Sequence, residues 1–332
     1  MHTLLRTFSF FFLFLTPLSG NPFKIDFPCK EEISEQEYEL IQEKLKLVNI
    51  QPFLDEFYPK SPPKKPFQPW ASSLATKEDF KARISKALDQ NLVDKEKKQS
   101  PIKKLIKINQ GGSNCIVCYA SFNGKYQELI QNLPKELEKV GFNGYVFYRI
   151  GGFPNPTGKE IQYCGVPYCF KIFALLEASK LGFSKVLWVD SAFIPLRDPT
   201  PLFDWMEKEG SFLKIHESFK KFILPKTQEY IQKLTNVDVL DSRYVSAQII
   251  GFDLQRPLSQ EFIDKYYKMV ELGFPFFSCF PEEYVFSSIV GQKPTEWREQ
   301  PYQDLVFSEV KPRGKTLSQA KKEGFFFLQK AH

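Results

Sequence analysis

The feature that most constrains this chain is a regular alternation of strand and helix signals that begins at Asn114 and runs to the C-terminal region. The apolar, β-branched run Cys115 to Phe122 predicts a strand, Tyr126 to Val140 a helix that tolerates Pro134, and Gly144 to Ile150 a second strand. Pro167 stands where a first helical turn accepts it, and the helix it opens runs through Lys180 to a stop at Gly182. Lys185-Val186-Leu187-Trp188-Val189-Asp190 then reads as an apolar strand ending on a carboxylate. Further strands are predicted over Phe212 to Ile215, Ser246 to Phe252 and Asp304 to Val310, with helices over Pro225 to Leu234, Ser259 to Leu272 and Pro281 to Val290. Alternation of this kind implies a layered α/β domain. With 42% hydrophobic and 25% charged residues over 332 positions, disorder, collagen and coiled coil are excluded as readings of the whole chain.

The chain opens differently. Met1 to Gly20 holds one charged residue, Arg6, then an apolar run from Phe8 to Leu15 and an exit through Pro17, Ser19 and Gly20. This is the pattern of a secretory signal peptide, residues 1–20, with an uncleaved N-terminal anchor as the alternative. The unbroken apolar run is short of the ~20 residues a bilayer span needs, so no stable membrane span is expected once the signal is removed. Export, to a secreted, periplasmic or luminal location, favours disulfides among Cys29, Cys115, Cys118, Cys164, Cys169 and Cys279. Cys115 and Cys118 have a zinc-site spacing, but they lie in a strand-like run where a zinc knuckle needs a tight turn. Asn155-Pro156-Thr157 is disqualified as a glycan acceptor by its proline.

Residues 21–108 read as a helical stem or accessory region. Capping-box patterns at Ser34 and Thr76 open two helices, separated by the proline-rich stretch Lys60 to Pro66. The basic run Lys95 to Lys107 reads as a solvated helix face or linker, with a patch for an anionic surface as the alternative. The balance of 45 Lys+Arg against 39 Asp+Glu is mild and spread along the chain, so no nucleic-acid partner is expected.

Chemistry in an open α/β sheet collects at the carboxyl ends of the strands, which is where Asp190 falls. A carboxylate there either caps the next turn or faces a crevice and handles a cation or hydroxyls. The glycine-bearing loop Gly151 to Gly158 has neither the Gly-x-Gly-x-x-Gly nor the Gly-Lys-Ser/Thr form of a phosphate loop. Glu282 and Glu283, at a predicted helix start, are the candidate carboxylates for taking a proton from an acceptor hydroxyl, although the helix dipole alone favours acids at that position. No Ser/His/Asp or Cys/His order with a nucleophile elbow appears, which argues against a hydrolase.

The segment Val166 to Leu175, continuing through Gly182-Phe183 to Val186-Leu187-Trp188-Val189-Asp190-Ser191 and on to Arg197-Asp198-Pro199-Thr200-Pro201-Leu202-Phe203, resembles nucleotide-diphospho-sugar transferases of the GT-A fold, most of all family-8-type members. The run Ser246 to Phe252 is similar to a later strand of that fold. The resemblance covers about residues 114–332 and implies a Rossmann-like mixed sheet flanked by helices, with residues 109–332 as the transferase domain. It further implies a nucleotide-sugar donor, a glycan, protein or lipid acceptor, and a divalent metal, Mn or Mg, bridging a carboxylate to the diphosphate. Asp190 matches the first acid of the family's Asp-x-Asp motif, whereas Ala192 replaces the second. By the same resemblance Tyr119, Ala120, Asp190 and Ser191 meet the donor, Lys171 meets donor phosphates or a strand-end carboxylate, and His332 joins Asp190 as a metal ligand; the amide of Gln248 is a candidate to bind donor or acceptor sugar, with interior structural bonding as the alternative. Two functions follow: a glycosyltransferase, or a catalytically inactive GT-A-like carbohydrate-binding or interaction protein, for which Ala192 is the sequence support.

Overall fold

Three parallel strands make the centre of the molecule because their sequences are apolar on both faces, as strands covered by helices on each side must be. These are β2 (Asn114–Ala120), β3 (Gly144–Ile150) and β4 (Lys185–Val189). The computed structural model describes residues 99–122, 126–152, 170–217, 223, 225–272, 274–276, 281–309 and 315–330. Within them the main sheet has six strands in the order β1-β3-β2-β4-β7-β6, where β1 is Ile102–Ile108, β6 is Ser211–His216 and β7 is Tyr244–Asp253. β1 lies antiparallel to β3, β7 antiparallel to β4, and β6 antiparallel to β7, so the sheet is mixed.

The helices divide between the two faces according to their apolar positions. Helix α1 (Gln127–Lys139) buries Ile130, Leu133 and Leu137, a spacing that puts all three on one stripe, and carries Pro134 inside it as expected. It covers the face lined by Ile116, Val146 and Leu187, together with α3 (Thr200–Glu209). Helix α2 (Lys171–Ser179) covers the opposite face, where Ile172, Phe173 and Leu175 pack with Val117, Phe147 and Trp188. That face is completed by α5 (Pro257–Leu272) and α6 (Pro281–Gly291). Helix α4 (Pro225–Thr235) lies between β6 and β7 in sequence. Gly251 on β7 permits the close approach of α3, since a Cβ there would stand 2.3 Å from Met206 Sδ and 2.9 Å from Leu187 Cδ1.

A second, three-stranded sheet joins β5 (Phe193–Pro195), β9 (Phe327–Gln329) and β8 (Val306–Ser308). Its small core of Phe307, Phe325 and Leu328 includes Ala320 from α7 (Leu317–Glu323), a helix opened by a Thr316–Gln319 capping box and closed by Gly324 at φ 84°.

The α/β class and the helix-flanked mixed sheet agree with expectation. The basic run before Ile108 does not: Ile102–Ile108 is an edge strand, so the sheet begins inside the region read as stem. Lysines are what an exposed edge strand carries to resist pairing with other chains, which is why the segment passed for a solvated basic stretch. Cys115 and Cys118 lie on a strand, as their β-branched run predicts, and are buried free thiols, which corrects for these two the expectation of disulfides. Their three-residue spacing turns them to opposite faces, where Cys115 packs with Val117 and Cys118 with Ile116. The signal segment, the two capped helices and the other four cysteines lie outside the described residues. Among the described residues no helix is long and apolar enough to cross a membrane.

Candidate functional site

The chain passes from β2 to β3 on one side and then returns to β4 on the other side of β2, so the connections diverge between β2 and β4. A crevice forms at such a switch point, outside the carboxyl ends of the strands. Tyr119 and Ala120 close β2 there, Asp190 follows β4, and antiparallel β7 brings Ala247 and Gln248 alongside, with the Asp190 amide donating to the Gln248 carbonyl at 3.1 Å.

Lys171 is the hub of this end of the sheet. It is the first residue of α2, where the helix dipole opposes a cation, and it is buried, so it requires strong acceptors. Its ammonium has them in three directions: Glu282 Oε1 at 2.8 Å, the Ala247 carbonyl at 2.9 Å and Asp190 Oδ1 at 3.0 Å. An ammonium has three protons, and each is directed to an acceptor. Burial alone would lower the pKa of Lys171, but the charges of Asp190 and Glu282 outweigh it and hold the group above its ordinary value, firmly protonated. The Trp188 indole N–H donates to the same Asp190 Oδ1 at 2.8 Å, from two residues earlier on the same face of β4.

A register shift in β7 makes the Ala247 carbonyl available. Leu213 and Lys214, adjacent on β6, pair with Ile250 and Ser246, so Ala247, Gln248 and Ile249 bulge from the β6–β7 ladder. Helix α6 grips this bulge. Glu283 accepts a hydrogen bond from the Tyr244 hydroxyl through Oε2 and faces the Ala247 amide at 3.4 Å through Oε1. Ser287 adds a second fastening, accepting from the Val245 amide at 3.0 Å and donating to the Glu283 carbonyl at 2.6 Å. Burial raises the Glu282 carboxyl above its ordinary pKa; Lys171 works against that rise and Glu283 adds to it. Burial, reinforced by Glu283, likewise lifts Tyr244 well above its usual value and keeps it a hydrogen-bond donor.

The expected site residues therefore separate by accessibility. The Asp190 side chain is 30% exposed, against 7% for Glu282 and 5% for Lys171. Glu282 and Glu283, expected as the acceptor base, are enclosed and engaged, and their place at the start of α6 serves to hold Lys171 and the β7 bulge. Lys171, expected to meet donor phosphates or a strand-end carboxylate, meets the carboxylate of Asp190, and its other protons go to Glu282 and the Ala247 carbonyl. Tyr119 is buried with its ring 4.3 Å from that of Phe170, and the Ala120 carbonyl accepts from the Gly151 amide at 2.8 Å. Ser191 and Gln248 are half-buried beside Asp190, one in the turn after β4 and the other on the bulge. His332 lies outside the described residues. Trp188, Tyr244 and Ser287 escaped the sequence reading; the one available signal was Trp188, two positions before the strand-end acid.

A divalent metal fits this donor set poorly. Mn or Mg requires several oxygen ligands, and among the described residues no group of three His, Cys, Asp or Glu side chains is arranged to hold one. Asp190 is already paired with an ammonium, and Ala192 offers no oxygen where the second acid of the motif would stand.

No family model and no curated protein matches the chain. Among solved structures it is similar to the apo form of the bifunctional glycosyltransferase WbbM, at 11% identity and a TM-score of 0.43 over 68% of this chain and 47% of that one. The chain thus spans about half the length of WbbM. It is also similar to the apo form of mouse xyloside xylosyltransferase 1, at 9% identity and a TM-score of 0.40 over 65% of this chain and 97% of that one.

Proposed function

We propose that the protein is a glycosyltransferase that binds a nucleotide-sugar donor in the crevice between β2 and β4 and passes the sugar to a hydroxyl of a glycan, protein or lipid. The observation that carries this reading is Asp190: an accessible carboxylate at the topological switch point of a mixed α/β sheet, held in orientation by Lys171 and Trp188. The resemblance of residues 166–203 to GT-A-fold transferases supplies the reaction class. In this reading Tyr119 and Ala120 form the floor under the donor nucleoside, while Asp190, Ser191 and Gln248 line the rim where its hydroxyls lie. The bond from the sugar's anomeric carbon to the donor's phosphate oxygen breaks, the nucleotide leaves with that electron pair, and a bond to the acceptor oxygen forms as that hydroxyl's proton passes to the departing phosphate. The enclosure of Glu282 and Glu283 makes them supports of the site, and Asp190 is the member of the cluster open to a ligand. Residues 1–20 direct export, and residues 21–108 form a stem before the transferase domain, with the sheet's edge strand at its end.

A second reading, a carbohydrate-binding protein without transferase activity, is favoured by one observation. Ala192 removes the second acid of the motif, and the first is committed to an ion pair. The two readings part on donor binding. A thermal-shift screen of UDP, GDP and CMP and their sugars tests them, with Asp190→Ala as control. A donor at about 100 times its Kd adds about 2.7 kcal/mol of stability. Such a shift, lost in Asp190→Ala, supports the transferase; stabilisation by free sugars without any nucleotide response supports the binding protein and ends the transferase reading.

A further inference from the structure

A cation already stands beside Asp190, and it belongs to the protein. Lys171 Nζ lies 3.0 Å from Asp190 Oδ1, and the same oxygen accepts the Trp188 indole N–H at 2.8 Å. The other acids near Lys171 face inward, Glu282 onto Lys171 and Glu283 onto Tyr244 and the Ala247 amide. The residues after Asp190, Ser191 and Ala192, add no carboxylate. A divalent ion would have to approach a carboxylate already paired with an ammonium and would be repelled by that fixed cation. A diphosphate fares no better at this spot, because Asp190 repels it and Lys171 has no N–H left to offer. Hydroxyls are different: they are neutral, and a carboxylate whose side chain is 30% exposed retains acceptor capacity for O–H donors.

We propose that Lys171 takes the place of a divalent cation beside Asp190, so that the strand-end site binds the adjacent hydroxyls of a ribose or a sugar without metal. The proposal rests on the donor-site reading above and adds to it the ligand chemistry and the independence from metal. Lys171 is a positioning residue here: it neutralises and orients Asp190, and Glu282 and the Ala247 carbonyl fix it in turn. The hydroxyls have two sources, the ribose or sugar of a nucleotide-sugar and the sugar of a free glycan, and the probes separate them.

Isothermal titration calorimetry on the full chain, in EDTA and then in excess Mn²⁺ or Mg²⁺, uses UDP-glucose and GDP-mannose as one class of probe and free glucose and mannose as the other. The expected result is a probe whose Kd in EDTA and in metal agrees within about twofold and rises roughly tenfold or more in Asp190→Asn, as losing a charged acceptor predicts. Lys171→Arg retains the cation and should keep metal-free binding, whereas Lys171→Met should bind weakly in EDTA and recover in Mn²⁺, a rescue that a purely structural lysine would not produce. Three results overturn the proposal: wild-type binding that appears only with metal, Mn²⁺ alone titrating onto the wild type but not onto Asp190→Asn, or Lys171→Met weakened alike with and without metal. Metal-free binding of free sugars alone keeps the proposal and removes the transferase reading; binding of no probe in any buffer removes both.

Discussion

Helix α2 carries two ion-pair clusters six residues apart, and they are built on opposite principles. At Glu177 two cations share one carboxylate: Arg149 Nη1 donates to Oε1 and Oε2 at 2.8 and 2.9 Å, Lys103 of β1 joins from the edge, and Arg149 Nε donates to the Gly151 carbonyl at 2.9 Å. The acid's charge is met twice over. At Lys171 the ratio is reversed, with one ammonium meeting Asp190 and Glu282 while Glu283 lies next in sequence. Acids that share one cation, with all but one of them buried and that one open, are what a ligand site requires and what a purely structural clamp avoids. The first cluster fastens α2 and the edge strand to β3. The second holds Asp190 at the carboxyl end of β4 with part of its side chain open.

The largest test of this contrast is removal of each cation. Lys171→Met leaves two carboxylates facing one another without compensation, and urea unfolding should register a loss of about 3–5 kcal/mol. Arg149→Met leaves Glu177 with Lys103, an exposed partner, and the expected loss is smaller, about 1–3 kcal/mol. The double variant should show the sum of the two within about 0.5 kcal/mol, since six helical residues separate the clusters by roughly 9 Å. Equal losses, or strong coupling, would mean that the two ends of α2 form one structural network and that the site has no distinct electrostatics.

How far this was legible in the sequence depends on whether a signal was local. Asp190 at the end of β4, Lys171 at the start of α2, and Glu282 and Glu283 at the start of α6 could all be located from apolar periodicity and helix-start chemistry. Of their contacts, only that of Lys171 with a strand-end carboxylate was within reach of the sequence. Lys171 reaches Ala247 across 76 positions, and the β7 bulge that frees its carbonyl follows from a register shift that no short motif encodes. The edge strand Ile102–Ile108 was lost because its lysines read as solvated charge, and α3 was lost behind prolines that suit its first turn. In the structure Asp198 accepts the Thr200 amide at 2.9 Å, and Gly210 ends α3 at φ 85°, signals that were present in the sequence and outweighed by Pro199 and Pro201.

A pH series sharpens the comparison at intermediate magnitude. The Glu282 carboxyl is raised from 4.5, so between that value and its raised one the folded state holds a proton that the unfolded state has released. Stability from this group is therefore greatest at low pH and falls as pH rises through that window. Glu282→Gln cannot titrate. The stability of the wild type relative to Glu282→Gln, from melts between about pH 4 and about pH 8, should decline with rising pH and then level off. A flat difference would place Glu282 in the same class as Glu177, an acid with its charge fully met.

Trp188→Phe should have the smallest effect on stability and the most diagnostic one. It keeps an aromatic ring against Phe170 and removes only the N–H that donates to Asp190 Oδ1. If Asp190 were held as Glu177 is, for structure alone, the missing bond to a charged acceptor would destabilise the fold by about 1.5–3 kcal/mol. Asp190 is instead partly open to water, which replaces the lost donor, so the expected change in the melt is about 0.5–1 kcal/mol. Orientation is harder to replace than a hydrogen bond. A carboxylate freed to rotate about its last bond presents its outer edge to a ligand for only part of the time, and affinity for the responding nucleotide-sugar should fall several-fold in calorimetry. A larger loss of stability than of affinity would assign Trp188 and Asp190 to the framework; the reverse assigns them to the site.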